Sequence, residues 1–282
     1  MAITGSVCSD RRARGRDLFA EIEAILFDLG GTLVDYPSPG WPVMAGRCLR
    51  GVYAFVVRPE REHPPRIAVV PDARQAHALR GSAPAGAHFA HRLMLALRRM
   101  ARGLSGRSLP RLAEACARPL LASGRLYDDA MPTILALEGR GYRLGLVSNT
   151  PWGTPEYLWE GQVERFGLAP HFPVRCFSSV VGFSKPDARI FQAAMAQVGA
   201  PPARTLFVGN DLAADIAGAA AVGMRTALVR RGGHASTLFR KHGRAKPGGA
   251  LSQAKARRPQ ADICVQTLAQ LLDYLPGPGK NL

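Results

Sequence analysis

The 282-residue chain has no apolar stretch long enough to cross a bilayer, and no apolar segment follows the arginines of its opening MAITGSVCSDRRARGRD as it would in a secretory signal. Both absences point to a soluble cytoplasmic protein with no membrane partner. Cysteine is sparse: Cys8, Cys48, Cys116, Cys176 and Cys264 are odd in number and nowhere spaced as CxxC, which argues against a disulfide framework and against a thiolate zinc site. No heptad run or internal repeat is visible, so a coiled coil or solenoid is not expected.

Acid is also in short supply, with 21 Asp and Glu against 37 Lys and Arg and a formal net charge of +16. Such an excess ordinarily suggests a polyanionic partner. Its distribution argues otherwise. Arg11, Arg12, Arg14 and Arg16 crowd the start of the chain, and nine Lys/Arg with no acid lie between Arg230 and Arg258. Both stretches are poor in apolar residues, and the second offers only Phe239 for stacking on a base. Residues 1–20 read as a disordered basic tail and 232–260 as a flexible, solvated basic loop, and nucleic acid is not expected as a partner.

Apolar residues are plentiful, at 47%, enough for one large core and a smaller satellite. From Ala24 onward short apolar strands (24–27, 144–147, 174–177, 205–208, 226–229, 262–265) alternate with amphipathic stretches (131–139, 154–166, 187–198, 213–222, 267–275). That rhythm predicts an α/β fold: a doubly wound, Rossmann-like parallel sheet with helices on both faces, built from 21–35 and 127–282. Residues 36–126 break the rhythm with the proline-rich YPSPGWP and REHPPR and with helical patterns at 43–56, 73–79, 87–102 and 109–122, so they read as a helical insertion after the first strand. IAVV, Ile67 to Val70, is a further strand candidate within it.

Ligands of such sheets bind beyond the carboxyl ends of the strands, so the residues just past each strand matter most. After AILF comes a lone aspartate, Asp28, then Leu29, Gly30, Gly31 and Thr32. A carboxylate at that position is costly to bury unless something pairs with it, and glycines let backbone amides approach a ligand. The second strand ends in Ser148, Asn149 and Thr150, the edge strand leads to GFSKPD with Lys185, and the next ends in GNDLAAD with Asn210, Asp211 and Asp215. Each has a structural reading of its own: Ser148 as a helix cap, Lys185 as a surface lysine, Asp211 as the cap of a helix beginning near Ala213. Together, and in this order, they resemble the four motifs of the haloacid dehalogenase-like hydrolases, over roughly 24–34 and 127–275, with 36–126 where members with a helical cap carry that cap.

The resemblance implies a phosphatase acting on a small phosphorylated metabolite, with Asp28 attacking phosphorus to form an aspartyl-phosphate. It implies Mg²⁺ as cofactor, held by the Asp28 side chain, the Gly30 carbonyl, and Asp211 and Asp215, with Asp211 the favoured direct ligand. Ser148 and Lys185 would bind the transferring phosphoryl oxygens, and Gly31, Thr32 and Asn149 would line the same pocket. Two departures from the family pattern stand out. Most family phosphatases carry a second aspartate two residues past the nucleophile as the general acid and base, and this chain has Gly30. Many have Gly-Asp in the last motif, and this chain has Gly209 and Asn210. Gly30 keeps open two alternatives: a 2-haloacid dehalogenase-type hydrolase, which lacks that second aspartate and needs no metal, and a catalytically weak binding protein with the same fold. Arg47, Arg50, His88, His91 and Arg92 are the polar candidates of the insertion.

Overall fold

The computed structural model describes residues 18–36, 41–56, 108–150, 154–231 and 260–276. In chain order the elements are β1 (Ala24–Phe27), β2 (Val34–Asp35), α1 (Trp41–Val56), α2 (Ser108–Ser123), β3 (Arg125–Leu126), α3 (Ala130–Gly139), β4 (Arg143–Ser148), α4 (Glu156–Arg165), β5 (Val174–Phe177), α5 (Ser178–Val181), α6 (Ala188–Val198), β6 (Thr205–Gly209), α7 (Gly218–Ala221), β7 (Arg225–Val229) and β8 (Ile263–Val265). Six strands form one sheet in the order β5-β4-β1-β6-β7-β8, every pair parallel. This is the doubly wound, Rossmann-like α/β sheet that the alternation predicts.

The side-chain period of two divides β1 between the faces. Ile25 and Phe27 join a cluster with Leu144, Leu146, Trp159, Phe172 and Leu206, while Ala24 and Leu26 join Val174, Ile190, Phe191 and Phe207. Both faces are covered, so β1 reads as an unbroken apolar run. The register then sets the site. Phe27 lies opposite Leu146 of β4 and Val208 of β6, so Asp28, the end of β4 and the end of β6 emerge side by side at the sheet's carboxyl edge.

Three features differ from the pattern reading. Val34–Asp35 pairs antiparallel with Arg125–Leu126, setting the two chain crossings that flank 36–124 next to each other; two-residue strands are too short to show a period. The stretch 213–222 is not one regular helix. It is a π-helical turn, Leu212–Ala217, followed by α7, and the Ile216 amide reaches back five residues to the Asp211 carbonyl at 3.1 Å. The last stretch, 267–275, contains a 3₁₀ segment, Leu268–Asp273, in place of an α-helix.

Within residues 36–126, α1 and α2 pack against each other, with Cys48, Val52, Leu112 and Cys116 buried in a core continuous with one face of the sheet. Arg47 and Arg50 are exposed on α1. Residues 1–17 of the basic tail, the 232–259 part of the basic loop, the strand candidate at 67–70 and the helical patterns at 73–79 and 87–102, with His88, His91 and Arg92, lie outside the described residues. Leu18 and Phe19, by contrast, pack on the core, Phe19 fully buried, so the reading of 1–20 as a disordered tail fails at its end, where the residues are apolar. No helix among the described residues is long and apolar enough to cross a membrane.

Candidate active site

Lys185 occupies the centre. It follows α5 in the loop before α6, and its ammonium is buried, 2% exposed, where β1, β4 and β6 end. Three oxygens surround it: Asp28 Oδ1 at 2.7 Å, Asp215 Oδ1 at 2.8 Å and the Val147 carbonyl at 2.8 Å. The three donors of the ammonium are thus matched by three acceptors. The face of Phe207 lies 5.2 Å from the nitrogen. Lys185 is therefore no surface lysine, and its segment is fixed by Asn149, whose amide side chain accepts from the Lys185 N–H at 2.8 Å and donates to the Lys185 carbonyl at 3.1 Å.

Asp28 is 7% exposed. Its second oxygen accepts from the Thr32 hydroxyl at 3.0 Å, so Thr32 orients the carboxylate. The turn between them is tight: the Gly31 N–H donates to the Val34 carbonyl at 2.7 Å, and the Leu33 and Val34 amides both return to the Leu29 carbonyl. The Gly31 amide proposed from the sequence as a ligand donor is engaged inside this turn. Gly31 itself is at φ +89°, and a Cβ there would lie 2.2 Å from Asn210 Nδ2. Asn210, in the last motif, is packed directly across the Asp28–Thr32 loop. The positive φ belongs to Gly31 and not to Gly30.

Asp215 is held by the π-helical turn. The wider turn folds its carboxylate back beneath β6, where Oδ2 accepts from the Asn210 and Asp211 amides at 3.0 and 2.9 Å. Gly209 leaves the room, since a Cβ there would fall 2.4 Å from the same oxygen. Asp211 plays the part of a cap: its Oδ1 accepts from the Ala213 and Ala214 amides at 2.7 and 2.8 Å. It is Asp215, not Asp211, that is buried and joined to Asp28 through Lys185. Ser148 is buried at the end of β4, and its hydroxyl makes one long contact, 3.4 Å, to the Asn149 carbonyl. Thr150 is tied instead to Ser178 through its amide and hydroxyl.

The electrostatics follow from one ammonium serving two carboxylates. Burial alone would lower the Lys185 pKa, but attraction to Asp215 and Asp28 outweighs it and the net direction is up. Burial pushes Asp215 up to about 6; Lys185 opposes this and the negative charge of Asp28 adds to it. Each carboxylate gains half a partner and a like-charged neighbour. The centre therefore holds two buried carboxylates against one ammonium. Among the described residues no group of three or more His, Cys, Asp or Glu is placed to hold a metal ion, so the carboxylate donors of the centre are these two. That donor set fits Mg²⁺, which takes one or two carboxylates and completes its shell with water.

A buried carboxylate–lysine–carboxylate centre thus sits at the carboxyl edge of a doubly wound sheet, where such folds bind their ligands. The haloacid dehalogenase-like hydrolase model matches residues 22–223, most of the chain, and a second model of the same kind matches 182–269. The chain belongs to the haloacid dehalogenase-like hydrolases. It is 30% identical over 211 residues, 75% of this chain and 83% of the relative, to the N-acetylmuramic acid 6-phosphate phosphatase of Pseudomonas aeruginosa. It is 38% identical over 105 residues to the glyceraldehyde 3-phosphate phosphatase of Methanothermobacter thermautotrophicus; this match takes in 37% of the chain and 45% of that protein. The first curated relatives are all matched over less than half their length. Among solved structures, a phosphatase of the family from Thermococcus onnurineus shares the fold at a TM-score of 0.54 and 20% identity, covering 91% of this chain and 99% of that one.

Two functional features escape the sequence reading. Arg231 falls in the basic run 230–258, one residue before the 232–260 stretch that reads as solvated loop, and its side chain is only 12% exposed and paired with Asp129 at 2.9 Å. The Val147 carbonyl also takes part, and no sequence pattern marks a backbone acceptor.

Proposed function

We propose that the protein is a Mg²⁺-dependent phosphatase that hydrolyses a small phosphorylated metabolite through an aspartyl-phosphate at Asp28. The observation that carries this reading is the buried Asp28–Lys185–Asp215 centre, with 2.7 and 2.8 Å contacts and more carboxylate than ammonium. An aspartate held at the mouth of the sheet, with one oxygen on Lys185 and the other on Thr32, is aimed for attack on phosphorus. The Ser148 hydroxyl is the protein donor for the phosphoryl oxygens, and Lys185, whose three N–H groups are already taken by Asp28, Asp215 and the Val147 carbonyl, balances the charge in the manner of phosphoryl transfer. Asp28, Asp215 and the Gly30 carbonyl, with Asp211 or Asn210 at the rim, would hold Mg²⁺. When bound, the ion neutralises the repulsion between the carboxylate and the phosphate.

Phosphatase names recur among the curated relatives, including the one matched over most of its length, and support the reading. Those relatives act on different phosphate esters by name, so the substrate is stated here by class. Gly30 favours a second reading, the dehalogenase-type hydrolase. Against it stands the excess of buried carboxylate, which would repel an anionic haloacid in the absence of a cation. Phosphate release from a panel of phosphorylated metabolites, with Mg²⁺ and with EDTA, tests the proposal, alongside halide release from 2-haloacids in EDTA. Mg²⁺-dependent phosphate release is the expected result. Metal-independent halide release would replace the proposal with the second reading, and silence in both assays with tight ligand binding would mark a binding protein.

A further inference from the structure

Arg231 lies two residues past the end of β7 and makes more polar contacts than any surface role needs. Its Nη1 lies 2.9 and 3.1 Å from the two Asp129 oxygens, and its Nη2 donates to the Thr32 carbonyl at 2.8 Å. The guanidinium stacks on the Tyr127 ring, 3.5 Å from its centroid. Asp129 in turn accepts from the Leu268 amide at 2.7 Å. One side chain thereby joins the end of β7, the start of the final 3₁₀ segment, the chain leaving β3 and the nucleophile loop.

The contact with Thr32 matters most. Thr32 is fully buried, with its carbonyl held by Arg231 and its hydroxyl donating to Asp28 Oδ2. The same loop runs straight into β2, and β2 pairs with β3, whose following residue, Tyr127, donates its amide to the Leu33 carbonyl at 3.0 Å and carries the ring under the guanidinium. Tyr127 is itself pushed up to about 12, by burial first and then by Asp35, and so stays a neutral platform. We infer that Arg231 is a positioning residue, a fork that locks the Thr32 turn and the β2–β3 crossing in register and thereby sets the aim of the Asp28 carboxylate.

A planar fork is what this geometry requires. Two nitrogens reach two acceptors at once, a carboxylate on one side and a carbonyl on the other. Lysine can keep the ion pair with Asp129 but cannot hold both. The substitutions Arg231→Gln and Arg231→Lys therefore separate structural support from aim. The kinetic arm rests on the phosphatase reading, and hydrogen–deuterium exchange does not.

In the exchange arm, both variants should exchange faster in peptides covering 30–36 and 125–129, with 188–198 unchanged. In the kinetic arm, with a phosphate ester the wild type hydrolyses, both variants should lose kcat by about 10- to 100-fold with little change in KM, the loss that small misplacements of a reacting group produce. Arg231→Lys should regain most of the thermal stability without regaining kcat. Unchanged exchange over 30–36 overturns the inference. So does wild-type kcat in either variant, or a kcat that recovers with stability in Arg231→Lys. If the wild type hydrolyses no phosphate ester, the phosphatase reading fails and the exchange arm alone decides the positioning role. If Arg231→Gln does not fold, Arg231→Lys carries both arms.

Discussion

Replacing Lys185 with methionine keeps the length of the side chain and removes its charge. Two carboxylates within 2.8 Å of one nitrogen are then left facing each other, and the Val147 carbonyl loses a 2.8 Å donor. Breaking a buried ion pair by deleting one partner costs about 3–5 kcal/mol. An orphaned buried carbonyl adds about 1–3 kcal/mol. Against a total of roughly 5–15 kcal/mol for a typical domain, Lys185→Met is expected to be close to unfolding at pH 7.5. Acid should relieve it. Lys185 holds the Asp215 pKa down, so its removal drives that pKa above the value of about 6 found with the lysine present. At pH 5 Asp215 is then neutral, the carboxylate repulsion is gone, and the remaining cost is that of the orphaned carbonyl, about 1–3 kcal/mol. Mg²⁺ at pH 7.5 should recover part of the loss by replacing the missing charge. Urea unfolding of both proteins at pH 5 and 7.5, with and without Mg²⁺, reads these differences. Equal destabilisation at the two pH values, or none at pH 7.5, would refute the charge-sharing account of the centre.

Gly31→Ala should destabilise the fold by about 1–3 kcal/mol, the usual cost of a strained backbone position, because its φ is +89° and a Cβ meets Asn210; urea unfolding measures it, and a neutral variant would contradict the geometry. The Asp215 carboxyl rises on folding from the ordinary 3.8 to about 6. The stability it contributes is therefore complete below about pH 4 and lost as the pH climbs through 6, a change of about 3 kcal/mol. Unfolding free energies in EDTA should show this decline in the wild type and not in Asp215→Asn; parallel profiles would remove Asp215 as its source. Gly30 lies outside the positive-φ region, so Gly30→Asp carries no such backbone strain. With a series of aryl phosphates, the wild-type rate should fall steeply as the leaving group becomes more basic, and Gly30→Asp should flatten that slope, since general acid catalysis contributes typically ~10²–10⁴-fold. An unchanged slope in a folded variant would place the proton donor elsewhere.

The sheet was legible because β1 and its neighbours are buried on both faces, and buried strands leave unbroken apolar runs such as Ile25-Leu26-Phe27. The site was legible for a related reason: a charged residue directly past such a run, as Asp28 is past β1, has no cheap place in a core unless something pairs with it. Lys185 shows the limit of that logic. Its charge could be read, but its burial and its two partners depend on a segment 157 residues away in sequence from Asp28. The sequence favours Asp211 over Asp215, while the structure buries Asp215 on Lys185 and leaves Asp211 as a cap, because the π-helical turn that aims Asp215 inward has no period of its own. The β2–β3 pair was too short to register, and Arg231 was hidden by its neighbours, since composition describes a window and cannot single out the one residue that turns inward.

The central claim is a covalent phosphoryl group on Asp28. Acid-quenching the protein during turnover of a phosphate ester in Mg²⁺, followed by peptide mass analysis, tests it most directly. The account predicts the mass of one phosphoryl group on the peptide containing Asp28, absent in EDTA and absent from Asp28→Asn, which keeps the shape of the side chain but cannot attack. Turnover in Asp28→Asn at more than a small fraction of the wild-type rate, or a phosphoryl group on any other residue, would contradict it.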